Sequence, residues 1–471
     1  MYKETFKTLM FISICILIAA SSTSAAFAQS LPQPAQAAFD QKVVARADSE
    51  RALEHIAYLS ETIGPRPGGM EAEWEGADYI ASVLESYGYE VHLQSFPVSD
   101  QYIGTILLPS GEEWQMGAAS RGLITGDGSV TGELIFVYPG TDPADFPPET
   151  AGKVVLMERA PTTTLYRAQV ANAEAAGAGA VILYSLVGSR GNYGGAWNPS
   201  LSRNSPAGIP VLGAALIQGE WLKDMLDQGA VSLSIQTRQY ENLESVNVIG
   251  IKPAKSGNPD ASAVLVTAHL DSVVGAPGAN DNSSGVALAL ELARVYRGYN
   301  TDKELRFILF GSEERGLLGS RYYVNQLSQE ERDQIMAVFN SDMVSTSYPV
   351  VTHLYAMTVD GELNLVTDAA EAAGSRLGNS SILPGEFGSS DHVPFYQAGI
   401  PAALFIWMRI DSWDPLVYYI EKVYHTPQDT IAENISLERM QNALDIIGAA
   451  VFDVVRKQVP ALENSQVRAS P

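Results

Sequence analysis

The spacing of apolar positions changes character twice along this chain, and each stretch predicts a different kind of structure. Residues 46–87 carry helical spacing interrupted once, at Gly64-Pro65-Arg66-Pro67-Gly68-Gly69, and residues 90–98 alternate as a half-buried strand does. A helix pair and one strand open the fold. From about residue 101 to residue 238 the texture becomes short apolar runs, at 132–138, 153–157, 180–184 and 209–212, punctuated by glycine and proline, with an alanine-rich helical stretch at 166–177. That predicts a separate β-rich module with one or two helices.

Beyond Glu244-Ser245-Val246-Asn247, runs of buried type at 263–268, 305–310, 337–339 and 402–406 alternate with helical stretches at 286–296, 315–327, 361–373 and 437–455. Parallel neighbours need a crossover element, so this alternation predicts an α/β fold with a mixed, mostly parallel sheet flanked by helices. In such sheets, sites form beyond the carboxyl ends of the strands.

The chain has 471 residues, too many for one compact core. The organisation expected is a signal peptide at 1–28, the first part of the main domain at 29–100, an inserted module at 101–242, the rest of the main domain at 243–459 and a disordered tail at 460–471. The signal is read from Lys3 and Lys7, the apolar run 9–20, and the small residues of Ala26-Phe27-Ala28, which place cleavage after Ala28. The run is shorter than the roughly 20 residues a membrane span needs and ends in Ser21-Ser22-Thr23-Ser24. A secreted protein, periplasmic or extracellular, is expected. Its one cysteine, Cys15, lies inside the signal after an Ile14 too large for lipoprotein cleavage, so the mature chain has no disulfide.

Acidic residues outnumber basic ones, 54 to 30, for a formal net charge of −24. That balance argues against nucleic acid and against stable association with anionic membranes. It leaves carboxylates for solubility and, in a few places, for metal.

Those places are short and distinctive. His269 and Asp271, two apart at a strand end, face one side; one of them binds metal while the other holds it in place. Asp281, in Ala279-Asn280-Asp281-Asn282-Ser283-Ser284-Gly285, precedes a helix whose N-terminus favours an ionised carboxylate, and such a carboxylate can bridge two cations. Ser283 or Ser284 is expected to cap that helix. Glu313 and Glu314 follow a strand, and adjacent residues in extended backbone point opposite ways, so one suits a metal and the other the activation of water. Asp342 follows another strand, and His425 stands in Tyr424-His425-Thr426-Pro427. Nitrogen and oxygen donors without thiolate suit zinc, with cobalt or manganese as substitutes, and two histidines with three carboxylates make a catalytic rather than a structural set.

Taken together, His269-Leu270-Asp271, Gly278 to Gly285, Gly311-Ser312-Glu313-Glu314, Asn340-Ser341-Asp342-Met343, Ser390 to Phe395 and Tyr424 to Thr430 resemble the motifs of the secreted zinc aminopeptidase family of the bacterial leucyl aminopeptidase type. Glutamate carboxypeptidase and glutaminyl cyclase are its relatives. The resemblance covers residues 51 to about 447, and the module at 101–238 resembles a protease-associated domain through Gly152-Lys153-Val154-Val155-Leu156 and Gly208-Ile209-Pro210-Val211. It implies the zinc exopeptidase fold and two Zn2+ ions, with His269 and Asp342 on one ion, Glu314 and His425 on the other, and Asp281 between them. It further implies Glu313 as general base, Asp271 as partner of His269, and Tyr424 as hydrogen-bond donor to the oxyanion.

The implied reaction is hydrolysis of the first peptide bond of peptides with a free N-terminus. A glutaminyl cyclase shares the ligand order and an Asp-His-x-Pro-Phe segment, here Asp391-His392-Val393-Pro394-Phe395, and a catalytically inactive binding protein shares the fold. A carboxypeptidase needs cations for a terminal carboxylate, and this chain offers scattered ones in Arg315, Arg321, Arg376 and Arg409. The inserted module and Tyr424 favour the peptidase. An apolar pocket for the first side chain is expected from Phe387, Phe395, Tyr396, Trp407, Trp413 and Tyr418, and hydrogen-bonding support from His392. The inserted module is expected to gate access or orient long substrates.

Overall fold

A computed structural model describes residues 33–186, 194–257 and 262–456. The expected signal peptide, with Cys15, and the expected tail at 460–471 lie outside the described residues. Among the described residues no helix is long and apolar enough to cross a membrane.

The first strand, β1 (Glu90–Val98), follows helices Ser49–Ala57 and Glu71–Ser86. The chain then leaves for a second body. Strands β2 (Gln101–Leu107), β3 (Glu113–Ala118), β4 (Val130–Phe136), β5 (Val154–Glu158), β6 (Ala180–Tyr184), β7 (Val211–Ala214) and β8 (Ser232–Tyr240) close into a barrel in the order β2-β3-β7-β6-β5-β4-β8. Alternation builds it: Val154 and Leu156 join a core to which all seven strands contribute, while Val155 and Met157 pack outward on helix Thr163–Ala175. Both faces of β5 and β6 are buried, so these strands read as continuous apolar runs.

The chain returns through β9 (Leu243–Lys252), which pairs with β1 along its whole length. There follow β10 (Ala263–His269), β11 (Glu304–Phe310), β12 (Ile335–Ser341), β13 (His353–Thr358), β14 (Ile382–Glu386), β15 (Ala402–Trp413) and β16 (Leu416–Tyr419). The sheet order is β1-β9-β11-β10-β12-β15-β13-β14, with β16 hairpinned onto β15. The central strands β11, β10, β12 and β15 run parallel, and antiparallel pairs flank them on both sides.

Helices cover both faces, as the alternating pattern requires. Val264, Val266 and Ala268 of β10 face one cluster with helices Ser283–Tyr296 and Leu437–Arg456, whereas Ala263 and Leu265 face another with Tyr323, Val324 and Phe395. Met440, Ala443, Leu444, Ile447 and Val451 recur at helical spacing on the last helix and are fully buried. Each such Leu, Ile or Val side chain stabilises the fold by about 1.5–3 kcal/mol. The sheet is therefore a rigid platform, and the carboxyl ends of β10, β11 and β12 open on one edge of it.

Candidate metal centre

His269 is the last residue of β10, and Asp342 directly follows β12. These parallel neighbours deliver both side chains to the same rim. The Nε2 of His269 lies 3.3 Å from Asp281 Oδ1 and 3.4 Å from Asp342 Oδ1. The Nε2 of His425 lies 3.1 Å from Asp281 Oδ2 and 3.1 Å from Glu314 Oε2. The two oxygens of Asp281 are thus divided between the two histidines, and the five sequence-predicted residues converge.

A lattice of buried groups sets Asp281. The Asp429 carboxylate accepts the backbone N–H groups of Asn280 and Asp281, both at 3.0 Å, and the Asn434 Nδ2 at 2.8 Å. Asn280 Nδ2 donates to Glu421 Oε1 at 2.8 Å. Asn282 caps the following helix by accepting the Gly285 N–H, and its amide donates to the Ser341 carbonyl, joining the Asp281 loop to the end of β12. The cap expected from Ser283 or Ser284 is therefore Asn282. Ser283 instead accepts from Arg66, and Ser284 bonds Asn280 and Val344.

Arg66 is fully buried, and its guanidinium donates to the carbonyls of Leu270, Leu59, Gly64 and Pro277 and to Ser283 Oγ. It ties the segment before helix Glu71–Ser86 to the loops carrying His269 and Asp281. Nothing in the sequence beyond its place in a Gly-Pro-rich break signalled this role.

Glu313 and Glu314 are not in extended backbone. Ser312 adopts φ 53°, which turns the chain out of β11 into a short 3-10 turn, Glu313–Arg315, and the helix predicted from residue 315 begins at Leu318. The turn is held from two sides. Asp271 Oδ1 and Oδ2 accept the N–H groups of Glu313 and Glu314 at 2.9 and 3.2 Å, and Glu73 Oε1 accepts that of Ser312 at 2.9 Å. Gly311 is required before it, since a Cβ there would stand 2.5 Å from Val246 O and 2.7 Å from Glu73 Oε1. Asp271 also meets His269, through its backbone carbonyl at 3.1 Å from Nδ1 and its Oδ1 at 3.5 Å.

Asp342 is oriented by a relay. Thr267 donates to Asn340 at 2.8 Å, Asn340 to Ser390 at 2.9 Å, and Ser390 Oγ to Asp342 Oδ2 at 2.8 Å. This engages one carboxylate oxygen and leaves Oδ1 facing His269. Ser390 opens the motif that contains Asp391 and His392, and its role beside Asp342 comes from the fold. His392 itself is buried with Nε2 2.8 Å from the Phe387 carbonyl, and burial pushes it down to about 4, so a neutral imidazole fastens the loop.

Glu314 Oε1 is buried without a hydrogen bond, and Asp342 Oδ1 and His425 Nε2 are buried within ion-pair range of their neighbours but outside hydrogen-bond geometry. Buried polar atoms are satisfied almost everywhere in native proteins, so this set fits bound cations. Proton distribution agrees. Against burial, which lowers it, the carboxylates of Asp342 and Glu313 hold the His269 imidazolium well above its usual value, and Glu314 and Asp281 do the same for His425. Burial raises Glu314 to about 7 and Glu313 well above the carboxylate range. Protons stand in for positive charge that a metal would supply. Nitrogen and oxygen donors without sulfur match zinc.

A cavity of about 490 Å³ opens on this cluster, lined by all five residues and by Glu313 and Tyr424. Tyr424 stacks on His425, with ring centroids 3.6 Å apart. The far wall is apolar: Met343, Leu404, Ile406, Met408 and Ile420, with Phe387 and Tyr418 in edge contact at 5.5 Å. Of the six aromatics expected there, Phe387 and Tyr418 line it. Trp407 faces the opposite side of β15 from Ile406 and Met408, Phe395 is buried beneath the sheet, and Tyr396 and Trp413 are exposed. Aliphatic positions on one face of β15 form the wall, which a search for aromatics overlooks.

The model of peptidase family M28 matches residues 247–451, and that of the PA domain matches residues 130–222. Aminopeptidase YwaD of Bacillus subtilis is 41% identical over 415 residues, 87% of this chain and 86% of that protein. The solved structure of BSAP, a zinc aminopeptidase from Bacillus subtilis, shares 39% identity at a TM-score of 0.63, covering 88% of this chain and 97% of that one. An aminopeptidase from Aneurinibacillus sp. strain AM-1 shares 34% at 0.55, covering 91% and 98%. With its ligand-like cluster at the rim of a mixed α/β sheet and a barrel inserted between two strands of that sheet, this chain belongs to peptidase family M28 and carries a PA domain.

Proposed function

We propose that this protein is a secreted aminopeptidase that uses two zinc ions, His269 and Asp342 holding one, Glu314 and His425 the other, and Asp281 both. The observation that carries this reading is the division of the Asp281 oxygens between two histidines, each of which has a further carboxylate at 3.4 Å or closer. Similarity to proteins named aminopeptidase over most of the chain supports the substrate class. Residues 1–28 act as the export signal, and the PA domain occupies 101–242.

When bound, the ions supply Lewis acidity that polarises the scissile carbonyl and makes water a better nucleophile. The residues do the rest. The apolar wall around Leu404, Ile406 and Met408 takes the first side chain of the peptide. Glu313, held by the Asp271 clamp, takes a proton from the attacking water and returns it to the departing amine. Tyr424, at the cavity edge beside His425, donates to the developing oxyanion.

The test is a panel of leucyl peptides with free and with acetylated N-termini, assayed with metal content. Release of leucine from the free series alone is expected; equal cleavage of acetylated peptides would refute aminopeptidase polarity. A peptide beginning with glutamine separates the cyclase reading, since cyclisation yields ammonia and proteolysis yields glutamine.

A further inference from the structure

A second cavity, of about 500 Å³, shares Glu314 in its lining with the metal-centre cavity. One wall comes from catalytic segments 67–68, 272–274 and 314–315, the other from PA-domain segments 117–118 and 196–200 with Tyr102 and Ser120. We propose that it binds the residues of a peptide downstream of the scissile bond, and that the PA domain thereby makes this enzyme select oligopeptides over dipeptides. This rests on the aminopeptidase reading above.

The barrel is seated on the site. A Cβ at Gly195 would stand 2.5 Å from the His425 carbonyl oxygen, and one at Gly275 would collide with the Gln115 carbonyl. Arg315 Nη2 donates to Ser99 O and Oγ, both at 2.8 Å, and to Asp100 O at 3.1 Å, where β1 passes into the barrel. The loop carrying Gly195 is itself fastened: Asn198 Nδ2 donates to Tyr102 O at 2.7 Å and Ala118 O at 2.9 Å, and Trp197 N to Gly213 O at 3.1 Å. The PA-domain wall is therefore formed before substrate arrives, which lowers the ordering cost of binding.

The shape of the first cavity sets the direction of the chain. Its apolar lining includes the buried side chains Leu404, Ile406 and Met408, which suit the first side chain of a peptide. The remainder of the peptide needs room next to the metal ligands, and the cavity that shares Glu314 offers it in the volume range of small-ligand sites. Its chemistry suits main chain and uncharged side chains. The Arg315 guanidinium is committed to protein carbonyls, and the Asp100 carboxylate accepts from Gln239 Nε2 at 2.9 Å. Ser120, Ser200, Ser272, Tyr102, Trp197 and Val274 also line it. Selection is then by length.

The zinc-loaded protein is assayed on Leu-Gly and Leu-Gly-Gly-Gly, and the ratio of kcat/KM, tetrapeptide over dipeptide, is compared with that of Ser120→Trp, which fills the cavity from its exposed PA-domain rim. The ratio cancels any general loss of active enzyme. It is expected to exceed one in the unaltered protein and to fall about tenfold in the variant, remote contacts having been removed. Binding of both peptides to Glu313→Gln protein, with and without Ser120→Trp, is expected to change in the same sense by calorimetry. A ratio unaffected by Ser120→Trp, or one at or below unity in the unaltered protein, overturns this inference and leaves the aminopeptidase reading standing. Failure to release leucine from any length overturns both.

Discussion

Asp271 clamps Glu313 from beneath, its Oδ1 accepting the Glu313 N–H at 2.9 Å while its Oδ2 takes that of Glu314 at 3.2 Å. One fully buried carboxylate thus sets the turn on which both glutamates stand, two residues after His269. Asp271→Ala removes both acceptors and is expected to lower kcat by about 10–100-fold. Asp271→Asn, which keeps one acceptor, is expected to fall between. Steady-state kinetics that find kcat unchanged in the alanine variant would show that the turn holds without the clamp.

Glu313 and Asp281 are expected to fail in different ways. Glu313→Gln retains the five other side chains of the cluster, so zinc content stays near that of the unaltered protein while kcat falls by about 10²–10⁴. Asp281→Ala removes the carboxylate that faces both histidines, so metal is lost along with activity. Metal analysis on the dialysed proteins separates the two; two zinc equivalents on Asp281→Ala would refute bridging.

Ser390 donates to Asp342 Oδ2 at 2.8 Å and is itself held by Asn340. Ser390→Ala frees the Asp342 carboxylate to rotate, and zinc affinity is expected to drop about 10–100-fold while the folded state persists. Chelator competition measures it. Identical affinities would mean that backbone placement alone orients Asp342.

Arg66 donates to four main-chain carbonyls and Ser283 Oγ from a fully buried position. Arg66→Met orphans these acceptors, at about 1–3 kcal/mol for each one left without a partner. A stability loss of several kcal/mol is expected by urea unfolding. A midpoint within error of the unaltered protein would contradict the structural role.

Burial, reinforced by the charge of Asp429 and opposed by the Asn280 hydrogen bond, pushes the Glu421 carboxyl from 4.5 up to about 8. Across that window the folded chain keeps a proton that the unfolded chain releases, so this group's contribution is full below about pH 4.5 and is lost as pH rises through about 8. Glu421→Gln mimics the neutral acid and lacks this slope. In metal-stripped protein the stability of the unaltered chain relative to the variant is expected to decline between about pH 5 and 8; parallel profiles would reject the assignment.

Periodicity made much of the fold legible. Runs such as 180–184 and 263–268 are strands because they are apolar, short and bounded by turn residues, and the long amphipathic pattern at 437–455 is a helix for the same local reasons. What escaped were elements whose stability comes from partners. β9 carries few local signals, yet β1 and β11 pair with it on either side. β14 includes Pro384 and Gly385 and exists as an edge strand on β13. Local sequence predicts extended backbone at Glu313 because nothing nearby announces the left-handed Ser312; the buried Glu73 and Asp271, distant in sequence, hold the turn there.

Which donor atoms the protein has, and roughly where they lie, is already written in the chain, since each candidate ligand stands at a strand end or in a short loop marked by composition. It also marked the inserted module and the acidic surface. Folding settles which oxygen faces which histidine, that Asn282 rather than a serine caps the helix, and that aliphatic residues of β15 wall the pocket. The difference is one of range. Chain composition and period act over a few residues, whereas the positions of Asp281, Glu313 and Asp342 depend on buried hydrogen bonds from Asp429, Asp271 and Ser390, which only folding brings within reach.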